Sequence, residues 1–208
     1  MFLSRDLREN NIAEYLLYMW QMEDVVRAAG FDIDKLDSLV VKQSGRSEQE
    51  QSEWLDWFRN LIEMMLSEDK KTKGHLQINE NIIVLLTDLH NRLISSVKTE
   101  DYRELYYKVL PFIVEFRKKN NRTDTEELRD CFDMLYGVLL LRLQHTQISE
   151  STAQAVGAIS KLLGMLSEYY KKDKIGELDL EGFLPCYLLT LNYRFGLNLL
   201  FYFGFCRN

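Results

Sequence analysis

Apolar residues return at three- and four-residue steps through almost every long segment of this chain, the spacing that lines one face of an α-helix. Little interrupts the pattern. Two prolines and ten glycines punctuate 208 residues, too few for the frequent turns that many short strands require. No tract alternates apolar and polar residues long enough to argue a strand, and no segment repeats at a fixed period. The reading is therefore all-α and not a solenoid. With 46% apolar and 28% charged residues, the chain has the composition of a globular domain with a real core.

The helices can be placed by their stripes and caps. The first is expected from about Asp6 to Ala29, with Ile12, Tyr15, Leu16, Met19, Met22 and Val26 on one face and Gly30 free to take positive φ at its end. Asp32 can cap a short second helix holding Ile33, Leu36, Leu39 and Val40. Asp32, Asp34 and Asp37 resemble part of a calcium loop but lack its glycine and terminal Glu, so they read as a helix start. Ser47 and Glu50 make a capping box before the stripe Leu55, Phe58, Ile62, Met65 and Leu66. A fourth helix spans about Ile78 to Ser96, with Ile82, Leu85, Leu86, Leu89 and Leu93 inward. Thr99 caps a fifth, which Pro111 should kink. Thr123 and Glu126 make a second capping box before Leu128, Phe132, Leu135, Leu139 and Leu143. Ser149 or Ser151 starts the last stripe, Val156, Ile159, Leu163 and Leu166. Short connections imply a single bundle of about six to seven mostly antiparallel helices over residues 1–172.

Residues 173–182 read as a charged linker, and the composition then changes. Phe183 to Cys206 holds five Phe, three Tyr and seven Leu with Arg194 as its only charge. As a membrane anchor this tail is long enough, but Arg194 and two asparagines fall near its middle. As a further bundle helix it is apolar all round. As a stretch read through or out of frame in an AT-rich region it needs no structural role, and the change of composition favours this third reading.

Three runs carry a family resemblance: Asn11 to Gln21 (NIAEYLLYMWQ), Gly74 to Asn79 (GHLQIN) and Leu135 to Leu143 (LYGVLLLRL). Over about residues 1–180 the chain resembles a bacterial family, Domain of Unknown Function 4924. The resemblance implies an all-helical bacterial protein and brings with it no activity, cofactor or catalytic residue. The apolar tail departs from the family pattern.

Composition and motifs narrow the function classes. The net charge is −6, from 26 basic and 32 acidic residues, and the basic residues are interleaved with acids. The densest basic cluster, Arg117, Lys118, Lys119 and Arg122, lies at a helix end that favours cations anyway. Nucleic-acid binding is therefore not expected. Three unpaired cysteines and an N-terminus that turns charged at once fit the cytoplasm, with membrane contact only if the tail inserts. No phosphate loop, dinucleotide motif, zinc motif, Glu-x-x-His pair or nucleophile elbow occurs, so no cofactor or metal is expected.

Two sets of residues remain. Glu23 falls four after Met19 and three before Val26, beside the apolar face of the first helix. With His75, Asp88 and His90 it forms a candidate polar site for a small enzyme or ligand-binding bundle, if these side chains converge. The competing reading makes Glu23 a packing carboxylate paired with Arg8 or Arg27, and His90 a satisfied boundary histidine. The second set, Leu17, Tyr18, Trp20 and Val25, lies off the main stripe of the first helix. That helix must be central or must meet a partner or a second copy. The leading expectation is a cytoplasmic interaction or structural module without catalysis.

Overall fold

The computed structural model describes residues 2–123 and 125–180. They form eight α-helices and no β-strand: α1 Phe2–Asn10, α2 Ile12–Ala28, α3 Ile33–Leu36, α4 Glu48–Ser67, α5 Gln77–Ser95, α6 Glu100–Lys119, α7 Glu127–Leu143 and α8 Glu150–Lys174. A π-turn over Asp37–Val41 and a 3-10 turn over Lys42–Ser44 follow α3. Among the described residues no helix is long and apolar enough to cross a membrane. The tail from 183 to 208 lies outside the described residues.

The single first helix expected from the apolar period is two helices. The period runs straight across Asn11, but Asn11 takes an extended conformation (φ −152°) and its side chain accepts the Glu14 N–H at 3.2 Å. Its own N–H still closes α1 on the Leu7 carbonyl at 2.7 Å. One residue thus ends α1 and caps α2, because an Asn side chain competes well for free backbone donors at a helix start. The α2 N-terminus has a second, distant cap: Ser167 Oγ on α8 accepts the Ala13 N–H at 3.3 Å.

Helix α2 is the centre of the bundle. It touches α1, α4, α5 and α8, and nine of its seventeen residues are buried, including Leu16, Trp20, Glu23 and Val26. The off-stripe set is covered from within. Trp20 is 1% exposed, and Leu17, Tyr18 and Val25 are half-buried against the core. Trp20 is therefore covered by this chain's own residues. A helix with apolar side chains on nearly all sides has found its neighbours inside the same chain.

Several local expectations need correcting. Leu39, Leu66, Leu85 and Leu143 are exposed at 61, 42, 56 and 55%, while Val41, Leu61, Ile83 and Leu162 are buried instead. Thr99 stands at the start of α6, but its hydroxyl donates to the Leu93 carbonyl instead of capping. The Thr123–Glu126 capping box does not form. Glu126 occupies the cap position without a side-chain cap bond, and its carboxylate takes the Thr87 hydroxyl at 3.2 Å. Helix α6 continues through Pro111, which lies on its exposed side where a carbonyl lacking its partner can be hydrated. The bundle also extends beyond residue 172: α8 reaches Lys174, and Leu178 and Leu180 pack against the core. The Ser47–Glu50 box and the Ser149 cap form as expected.

Replacing Asn11 by Ala should remove the local cap of α2 while leaving Ser167 in place. The expected cost is about 1 kcal/mol, read in a thermal melt as a fall of roughly 2–4 °C for a chain of this size. A melt identical to the wild type would contradict the assigned cap.

Candidate functional site

The candidate polar residues fall into two clusters. Glu23 and His75 meet; His90 and Asp88 are elsewhere. His75 lies just before α5 and His90 in its second half, and the eleven residue steps from Asn79 to His90 span about 16 Å of helix.

The first cluster is built where the loop after α4 returns to α2. Glu23 is fully buried. Its Oε2 accepts from His75 Nδ1 at 2.7 Å, and its Oε1 accepts from the Leu76 N–H at 3.1 Å and from Asn79 Nδ2 at 2.7 Å. Arg27, one turn along α2, brings its guanidinium within 3.8 Å of Oε2. A buried carboxylate with this many donors has its desolvation offset. The arrangement also explains the start of α5. Leu76 precedes that helix and has no capping side chain, so the first free amides turn to distant carboxylates: Leu76 N–H to Glu23 and Gln77 N–H to Glu68 at 2.6 Å. Negative charge at a helix N-terminus is favourable.

Arg27 closes the same loop from the other side. Its Nε donates to the Lys70 carbonyl at 3.1 Å, its Nη2 to the Gly74 carbonyl, and its Nη1 to Asp24 at 2.6 Å. Gly74 takes φ +81°, a left-handed conformation that suits glycine and turns the chain toward His75. Over His75 lies the Trp20 ring, stacked at 4.1 Å and 12°. Tyr136 and Phe132 of α7 meet Trp20 edge-on, and the Arg129 guanidinium lies 5.1 Å from its centroid. Tyr136 donates to Asp24 at 2.5 Å, and both burial and this carboxylate raise its phenol above the ordinary range. Asn79, Asp24, Arg129 and Tyr136 thus complete a cluster of which the sequence marks Glu23, His75 and Arg27, with Trp20 singled out as an interface residue instead.

The second cluster lies between α5, α6 and α7. His90 is buried, its Nδ1 within 2.7 Å of the Tyr102 hydroxyl, with Tyr102 and Tyr106 edge-on to its ring. Burial lowers its pKa from the ordinary 6.5 to about 4, opposed weakly by Glu127. Tyr106 donates to Glu127 at 2.7 Å, and burial pushes the nearby Cys131 thiol up to about 12. Asp88 is on the solvent side of α5, its carboxylate 3.4 Å from Arg92. It shares no hydrogen-bond partner with Glu23, His75 or His90. Three members of the basic cluster are paired in place: Arg117 and Arg122 bind Asp130, Arg122 also binds Asp133, and Lys119 pairs with Glu115. No group of three or more His, Cys, Asp or Glu arranged to hold a metal occurs among the described residues.

Chemically, the Glu23 cluster is a fastening. Each carboxylate oxygen is engaged, and the imidazole is held between a carboxylate and an indole face. Glu23→Gln should lower stability by about 1–3 kcal/mol and speed tryptic cleavage at Lys70, Lys71 and Lys73, since the loop loses its anchor. Wild-type melting and wild-type cleavage together would contradict this role.

His90 generates a pH effect whose sign follows from its lowered pKa. The unfolded chain binds a proton there near pH 6.5, and the folded chain only near pH 4. The stability contributed by the neutral ring is complete above pH 6.5 and is lost as pH falls toward 4, by up to about 3 kcal/mol. In His90→Gln the difference in stability between pH 7 and pH 4.5 should shrink relative to wild type. Identical pH dependence in denaturant titrations would contradict it.

No curated protein and no solved structure matches this chain significantly. A family model does match, over residues 1–177, which covers α1 to α8 and both clusters. The chain belongs to the family described as Domain of unknown function (DUF4924).

Proposed function

We propose that the chain is a non-catalytic helical module that works by binding a protein partner or a second copy of itself, in the cytoplasm of a bacterium. The observation that carries this reading is an outward apolar stripe on α5. Val84 and Leu85 are adjacent and 59 and 56% exposed, and Ile78, 42% exposed, stands two turns before Leu85, on the solvent side of a helix whose other face is core. Apolar side chains grouped on one exposed helix face are a frequent mark of partner surfaces. The engagement of Glu23 and His75 inside the fold supports the non-catalytic half of the reading, since a general acid or base needs a free proton path to a substrate.

The test places a photo-crosslinking residue at position 85 of the full chain in the native host, with position 161 on α8 as control. A discrete adduct is expected at 85, absent at 161, and lost in Val84→Asp. Leu85→Asp should itself melt within about 0.5 kcal/mol of wild type, as an exposed substitution does. No adduct at 85, or equal adducts at both positions, would contradict the reading.

A further inference from the structure

A second surface adjoins the α5 stripe, sharing Ile78 with it, but rests on different residues and does not depend on the partner reading. A groove of about 420 Å³ is lined by α1, α4, the start of α5 and the end of α8. The buried side chains Tyr15 and Met19 of α2 form its base. Trp57, Met64 and Ile78 continue this apolar wall, and Met64 and Ile78 are 40 and 42% exposed. The volume falls in the range of roughly 300–1,000 Å³ found for small-molecule sites.

The rim is cationic. Arg5, Arg8 and Lys174 line the groove against a single carboxylate, Glu9. None of the three cations makes an ion pair among the described residues, although the chain as a whole carries a net charge of −6. Arg27, Arg117, Arg122 and Arg129, by contrast, are engaged with acids. Arg8 instead leans over the Tyr15 ring, 5.8 Å from its centroid, at the boundary between rim and base. An excess of unpaired cations at one edge of an apolar groove, on an acidic protein, is complementary to one kind of ligand: an anionic head joined to an apolar body.

We propose that this groove binds a long-chain carboxylate. The head is held by Arg5 and Arg8, whose guanidinium forks match a carboxylate, and by the Lys174 ammonium. The alkyl chain lies along Met19, Trp57, Met64 and Ile78. Methionine side chains adapt to chains of different length and bend, so selectivity resides in the head and not in the tail of the ligand.

The probe is sodium dodecanoate, kept below its micelle concentration and titrated into the full chain by calorimetry and by tryptophan fluorescence, to which Trp57 contributes. Saturable binding is expected. Dodecanol and dodecyltrimethylammonium, with the same chain and a neutral or cationic head, should bind about tenfold weaker or worse. Arg5→Glu/Arg8→Glu should weaken dodecanoate to a similar extent, and Met64→Glu should weaken dodecanol and dodecanoate alike; both variants change exposed side chains and should melt near wild type. Equal affinity for the three heads, or unchanged affinity in the double variant, would overturn the proposal. So would binding to anionic vesicles or to an acidic peptide with none to monomeric dodecanoate.

Discussion

One carboxylate in the middle of the bundle joins parts of the chain that are far apart in sequence. Glu23 belongs to the central helix, and its three hydrogen-bond donors come from residues 52 to 56 positions later, at the start of α5. A buried charge without partners would be prohibitive. The fold therefore exists only in a form that brings His75, Leu76 and Asn79 to it. Through these contacts α2, the loop after α4 and α5 become one unit, and Trp20, stacked on His75, ties α7 into the same unit.

The same device recurs at other helix starts. The free amides of α5 are taken by Glu23 and Glu68, and Ala13 at the start of α2 is taken by Ser167 of α8. α5 lacks a local side-chain cap and α2 adds a distant one to its Asn11 cap, so both helix starts are coupled to the bundle rather than independent of it. The buried Asp130, held by Arg117, Arg122 and Thr125, does comparable work at the other end of α6 and α7. Buried polar chemistry is thus spent on assembly, and the features turned toward solvent are the α5 stripe and the cation-rimmed groove.

Much of this was legible in sequence. Helical period places α4, α5, α6, α7 and α8 to within a few residues, and the Ser47 and Ser149 caps mark the starts of α4 and α8, because apolar spacing and local side-chain oxygens are written in adjacent positions. Glu23 was marked by its place beside an apolar face, and Arg27 was named as a partner; the guanidinium lies at 3.8 Å. The closer donors were not legible as a set, since nothing local reveals which loop returns to α2. The break at Asn11 was hidden because the apolar period is continuous across it, although Asn11 followed by Glu14 carries the cap. Leu85 was assigned inward because two adjacent apolar residues, Leu85 and Leu86, both fit the period and only packing decides between them.

The Leu76 amide makes the bond by which the buried carboxylate starts α5. Native-state hydrogen exchange resolved by residue measures it directly. If Glu23 is the fastening, Leu76 N–H exchanges as slowly as the core amides of α2, although it lies outside any helix and next to a lysine-rich loop. Exchange of Leu76 at the rate of Thr72 and Lys73 would show that the carboxylate does not hold the loop, and the central claim would fail.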